Sequence, residues 1–377
     1  MRRIYLDYNA TTPVAPSVQE AMMPFLTEHF GNPSSNHALG RACHEAVEDA
    51  REQVAGLLGA EREEIVFTGG GTEANNLALK GVIQRRSPGE AHLIVSSFEH
   101  PSVDEPAKHL HRIGYAVSWL PCTPDGVVEP QAVEDAIRPN TALVSVMHAN
   151  NEVGSLQPIR QIAEVCRSHD VLVHTDAAQS TGKVRTNVDE LGVDLLTIAG
   201  HKVYAPKGVG ALFVRRGVAL EPVIHGAAHE GGLRPGTENT PYIVGLGRAA
   251  VLASKALDEA ADRLAALRDR LWERISRAIP RATMNGSQAE RLPNTLSLNF
   301  PNVTGGELLG RTPELCASTG SACHSGVTHM SPTLEAMGLA PQTARGAVRL
   351  SVGWYTSEED IDRAASLLIA AWEGLED

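Results

Sequence analysis

Between residues 63 and 214, short apolar runs alternate with stretches whose apolar residues recur at helical spacing. The runs at 65–68, 93–96, 117–120, 142–147, 171–174, 195–198 and 211–214 predict seven strands, and residues 73–84 and 159–169 predict helices between them. Such alternation belongs to an α/β fold with a mostly parallel, seven-stranded sheet covered by helices on both faces. The pattern changes after "GGLRPGTENTP". Residues 243–279 are rich in Ala, Leu and Arg, without an internal proline, and predict one long helix. Strands at 295–300 and 348–352 follow, then a last helix near Ser357, where S-E-E-D reads as a capping box. The expected division is a large domain at 15–260 and a smaller α+β domain at 1–14 and 261–377.

Composition narrows the classes of function. The 377 residues are 42% hydrophobic, an ordinary globular value, and no apolar run approaches the length of a membrane span. Thirty-three Lys and Arg face 45 Asp and Glu, a net charge of −12, which argues against nucleic acid or an anionic membrane as the main partner. In "MRRIYLDYNATTP", Asp7 and Asn9 interrupt any signal-peptide core, so a cytoplasmic location is expected. The five cysteines are odd in number and never spaced C-x-x-C, and the 15 histidines show no metal-ligand spacing, so neither a disulfide framework nor a metal is expected.

In parallel sheets, ligands bind beyond the carboxyl ends of the strands. After 65–68 comes "GGGTEANNLALK", where three glycines and the Thr72 hydroxyl precede a helix N-terminus at Glu73, an anion site suited to a phosphate, or form a plain tight turn. After 93–96 comes "SFEHPSV", where His100 is either a ring that stacks on an aromatic ligand or an ordinary surface histidine. "HANNEVG" offers Asn150 and Asn151 as neutral polar contacts. "TDAAQSTGK" brings Asp176, a candidate metal ligand, helix cap or partner of a protonated heterocyclic nitrogen, with Gln179 one helical turn on. After 195–198 comes Lys202, in water as a loop lysine or partly desolvated as a Schiff-base amine. Taken together, a phosphate cradle, a stacking ring, an acid and an amine are the groups that pyridoxal phosphate requires of a protein.

The motifs "YLDYNATTP", "FGNPSS", "GGGTEANNLALKG", "EHPSV", "HTDAAQSTGK", "GHKVYAPKGVGALFVRRG", "RPGTEN" and "STGSACHSG" occur in order. With them the chain resembles the cysteine desulfurase and selenocysteine lyase family, in the class V aminotransferase group of fold-type I pyridoxal phosphate enzymes, from residue 4 to about 372. The resemblance implies that Lys202 carries the cofactor, Asp176 meets its pyridinium nitrogen, Gln179 its phenolic oxygen, and His100 stacks on its ring. It implies that Gly71, Thr72 and His201 hold the phosphate, and that Thr237 reaches the phosphate of a neighbouring subunit in a homodimer. Asn151 would contact cofactor and substrate, and Arg349 would take the substrate carboxylate. Cys323, in a small polar stretch, would accept sulfur from L-cysteine as a persulfide, leave L-alanine, and pass the sulfur to an acceptor protein or thiol, iron–sulfur cluster assembly being one destination. Two features lean toward L-selenocysteine as substrate: Ala199, where many members have a serine that bonds the phosphate, and His324 after the cysteine. A third expectation is a cofactor-binding sulfur carrier with little turnover of its own.

Overall fold

The protein is described from a computed structural model, over residues 3–319 and 330–376. A short strand, β1 (Ile4–Tyr5), precedes the strands of a central sheet: β2 (Ile65–Thr68), β3 (His92–Ser96), β4 (Ala116–Leu120), β5 (Thr141–Ser145), β6 (Leu172–Asp176), β7 (Leu195–Ala199) and β8 (Gly210–Val214). Their order across the sheet is β2-β8-β7-β6-β5-β3-β4, and only β8 runs against the rest. The carboxyl ends of β2, β3, β4, β5, β6 and β7 therefore share one edge. Chain order reverses between β3 and β5, the kind of crevice in which such sheets bind ligands.

Strand side chains alternate between two cores, as a pleat of period two requires. Ile94, Val144, Leu196 and Phe213 enter one with the helix Ala38–Leu58, while Leu93, Leu143, Leu195 and Leu212 enter the other with the helices Gly71–Ile83 and Pro101–Arg112. Burial on both faces is why these segments read as continuous apolar runs. Only the edge strand β4 is half-buried along most of its length.

A third core lies on the antiparallel sheet of β9 (Thr283–Met284), β10 (Thr295–Asn299) and β12 (Ala347–Ser351), beside β11 (Leu315–Cys316), which pairs with β1. It gathers Leu296, Leu298, Val348 and Leu350 with Ile4, Leu6 and the last helix, Glu358–Glu376. That helix is capped by Ser357, whose hydroxyl accepts from the Asp360 amide at 3.1 Å while the Asp360 carboxylate accepts from the Ser357 amide at 3.0 Å. The helix Thr240–Ala278 is 39 residues long and serves both regions. Its Ile243, Leu246 and Ala250 pack in a core of the large sheet, and its Leu264, Leu267, Leu271 and Ile275 pack in the third.

Most boundaries differ from the expectation by one to three residues, and at three of them the physical reason is plain. The helix expected at 73 begins at Gly71, because Gly70 turns the chain at φ 146°, a conformation only glycine adopts readily. The strand expected to reach 147 stops at Ser145, and the Met147 amide donates instead to the Glu99 carboxylate at 2.8 Å. The strand expected to end at 174 runs to Asp176, whose register partner is Thr197.

The edge strand β2 is sealed by a buried ion pair. Arg51 donates to both oxygens of Glu230, at 2.7 and 2.9 Å, and to the Ile65 carbonyl at 2.8 Å, while Glu230 also accepts from the Phe67 amide. The Glu230 side chain is 1% exposed, so removing it leaves the largely buried guanidinium to the Ile65 carbonyl and the Glu48 carboxylate, 3.1 Å from its Nε, with two of its strongest bonds unmade. Glu230→Ala is expected to lower the unfolding free energy by about 3–5 kcal/mol in urea denaturation; a midpoint equal to the parent's would show that this seal contributes nothing.

Candidate functional site

The shared strand edge opens into a cavity of about 430 Å³ lined by residues from successive strand ends: Thr72 after β2, His100 after β3, Asn151 after β5, Asp176 and Gln179 at and after β6, and His201 and Lys202 after β7. Arg349 enters from β12. A second cavity, of about 720 Å³, adjoins it through Ala10, Gly71, Thr72 and His201, and carries Lys207 and Arg234.

Lys202 sits where β7 ends, in the short helical turn Gly200–Lys202. Its Nζ donates to the Asn9 and Ala10 carbonyls of the N-terminal arm, the second at 2.9 Å. No carboxylate bonds it among the described residues. Burial, with the Arg349 charge, lowers its pKa to about 8 against the opposing pull of Asp176 and Asp7. The amine is therefore partly neutral near neutral pH, the state that attacks carbonyl carbon. His201 is held neutral, its pKa lowered to about 4 by burial and then by Lys202 and other cations. Its Nδ1 lies 3.2 Å from the Thr11 hydroxyl.

Asp176 is buried at the end of β6, accepting from the Ala178 amide at 2.9 Å and from Asn75 Nδ2 at 2.8 Å. Gln179 donates through Nε2 to the Asn9 carbonyl at 3.0 Å, while its Oε1 accepts from Lys183 at 3.3 Å. Lys183 is itself buried, with its pKa lowered to about 7 by burial and by Lys202. His100, exposed toward the cavity, caps the helix Pro101–Arg112. Arg349 is buried, with Nη2 on Asp7 at 2.8 Å, Nη1 on the Asn151 carbonyl at 3.1 Å, and a buried Nε that has no partner among the described residues. Gly71 lies close under β7, where a Cβ would meet the Ala199 methyl at 3.2 Å.

Of the residues singled out from sequence, Gly71, Thr72, His100, Asn151, Asp176, Gln179, His201, Lys202 and Arg349 all line this one cavity. Thr237 is exposed and lines neither cavity within the chain. Cys323 and His324 lie outside the described residues. On either side of that segment, Ser318 pairs through its backbone with Arg349, and the Ser331 hydroxyl donates to Glu152. Sequence reasoning missed Asp7, Asn9, Asn75, Ser102 and Lys183. Lys183 was legible in the i, i+4 spacing of "QSTGK", and Ser102 in its place two residues after His100; Asp7, Asn9 and Asn75 act across the fold and carry no local signal.

Residues 4–364 match the family described as aminotransferase class-V. The chain belongs to that family. It is 46% identical over 370 residues to a cysteine desulfurase IscS of Aeromonas salmonicida, spanning 97% of this chain and 91% of that protein. It is 43% identical to a cysteine desulfurase IscS of Dictyoglomus turgidum, spanning 97% and 94%. Among solved structures, one titled NifS-like protein superposes with a TM-score of 0.91 at 37% identity, covering 99% of each chain. One titled SspA in complex with cysteine superposes with a TM-score of 0.83 at 40% identity, covering 94% of this chain and 99% of that one.

Charge balance around Lys202 yields a prediction with a definite sign. Arg349→Leu removes a charge that holds the amine's pKa down and also releases Asp7, which raises it. The Lys202 pKa is expected to rise above about 8, measured as the pH dependence of its trapping by an aldehyde probe and read by mass spectrometry. An unchanged value would mean that burial alone sets it, and a lowered one that Arg349 does not act on the amine through its charge.

Proposed function

We propose that this chain is a pyridoxal-phosphate-dependent cysteine desulfurase that converts L-cysteine to L-alanine and passes the sulfur to an acceptor through Cys323. One observation carries the reading: a single cavity holds a desolvated amine, a buried carboxylate and a buried guanidinium whose Nε is unpaired among the described residues, at Lys202, Asp176 and Arg349. The fit to the cofactor rests on that donor set and on the close packing of Gly71 against β7, where a Cβ would meet the Ala199 methyl at 3.2 Å and force the turn before the helix outward. The names of the relatives, and the neighbour solved with cysteine, favour sulfur over selenium as the atom removed.

In this reading Lys202 anchors the cofactor, Asp176 meets its pyridinium nitrogen, Gln179 its phenolic oxygen, His100 its ring face, and Gly71, Thr72 and His201 its phosphate. When bound, the cofactor supplies an electron sink that makes the substrate's Cα proton acidic. Lys202 Nζ, with its lowered pKa, is the base that removes that proton. Arg349 and Asn151 fix the substrate carboxylate and so orient the Cα–H bond toward Lys202. The Cys323 thiolate attacks the substrate sulfur. An S–S bond forms as the C–S bond breaks, the C–S electron pair stays with Cβ, the proton lost by the Cys323 thiol completes the methyl group, and the proton held by Lys202 returns to Cα to give alanine. The reading includes a homodimer in which Thr237 serves the neighbouring subunit, a cytoplasmic location, and two regions divided near residues 15 and 260. No helix among the described residues is long and apolar enough to cross a membrane.

The test is alanine formation from L-cysteine with excess thiol. Lys202→Ala is expected to lower the rate at least about a hundred- to ten-thousandfold, and Cys323→Ala to abolish persulfide on the chain and slow alanine release. Full turnover in Cys323→Ala would leave a cofactor enzyme but remove the persulfide route.

A further inference from the structure

Between His100 and Asp176 runs a chain of hydrogen bonds whose directions can be read one from the next. A carboxylate only accepts, so the Asn75 group 2.8 Å from Asp176 Oδ2 is its NH2. This orientation leaves Asn75 Oδ1 buried without a partner among the described residues, a cost the Asp176 charge imposes. The same NH2 donates to the Ser102 hydroxyl at 2.8 Å, which turns the hydroxyl proton toward His100 Nδ1, 2.7 Å away. The Ser102 backbone amide, which only donates, also points at His100 Nδ1, at 3.1 Å. Two donors converge on one ring nitrogen, so that nitrogen bears its lone pair.

We infer that Ser102 is a positioning residue that, oriented by Asn75 and Asp176, locks His100 as the neutral imidazole with its proton on Nε2. His100 then offers the cavity a hydrogen-bond donor, and base work falls to Lys202. This deepens the desulfurase reading and rests on it only for what His100 faces; the tautomer stands on the hydrogen bonds alone. Protonating Nδ1 would set an N–H against the Ser102 amide and break the helix cap. The charged neighbours are Lys202 and Asp176, with His201 close by: enclosure by protein, and Lys202, lower the ring's pKa, and Asp176 opposes them.

The experiment follows the ring nitrogens of His100 by NMR in holoenzyme with isotope-labelled histidine, from about pH 4 to about pH 9 so that the ring's own protonation is included, assigned by loss of the signal in His100→Gln. The parent is expected to show an unprotonated Nδ1 and a protonated Nε2 at neutral pH and above. Ser102→Ala keeps the backbone donor but loses the hydroxyl, so the neutral ring loses stabilisation and its pKa should rise by about one unit. Ser102→Thr, which restores a hydroxyl, should behave as the parent. A proton on Nδ1 in the parent at neutral pH would overturn the inference, as would a Ser102→Ala titration superimposable on the parent's. Should Ser102→Ala fail to fold, the parent's tautomer and the threonine variant decide. Alanine formation from L-cysteine, assayed on the same samples, separates a failed lock from a failed desulfurase reading.

Discussion

An amine enclosed without a bonded carboxylate is the constraint on which this site depends. Among the described residues Lys202 is held by the carbonyls of Asn9 and Ala10 alone, and dipoles cannot restore what an ammonium loses on leaving water. Its pKa falls accordingly, to about 8. A carboxylate bonded to Nζ would have kept it charged and inert. Asp176 and Asp7 are near enough to be felt, but each is engaged elsewhere, on Asn75 and on Arg349. The neighbourhood is thus polar enough to bury a lysine and withholds the one partner that would quench it.

Sheet direction converts that local condition into a site. Six strands deliver their ends to one edge because β8, which forms a hairpin with β7, alone turns back. The loop of that hairpin carries Lys202, and its return strand closes against β2. The side chains that follow these strands into the cavity, from Thr72 to Lys202, are then fixed by the strand each follows rather than by a long loop, which limits how far they can wander.

Much of this was legible in the sequence. Strands buried on both faces announce themselves as apolar runs, and a lysine, an acid and a histidine each placed just past such a run form a chemical set before any fold is seen. Errors fell at strand and helix ends, where one hydrogen bond decides. The Glu99 carboxylate takes the Met147 amide and ends β5, and Gly70 allows a turn that starts a helix early. The pairings Asn75–Asp176 and Asp7–Arg349 join residues 101 and 342 positions apart, and no periodicity encodes such contacts.

The N-terminal arm shows why that omission mattered. Asp7, Asn9 and Ala10 belong to no regular strand or helix, yet this short stretch holds both cations of the cavity, Arg349 through a carboxylate and Lys202 through two carbonyls. The arm is itself tied down: the Asn9 amide donates to the Ser351 hydroxyl at 2.9 Å, and Asn9 Nδ2 donates to Thr295 at 2.8 Å. Both anchors stand on the small antiparallel sheet, while Lys202 stands on the large one. The arm therefore couples the two sheets at the point where their cations meet. A guanidinium already held at Nη1 and Nη2 has lost its rotational freedom before any carboxylate arrives, so the ordering cost of binding falls mainly on the incoming ligand. Its remaining Nε is buried and unpaired among the described residues, a deficit that an arriving acceptor would relieve.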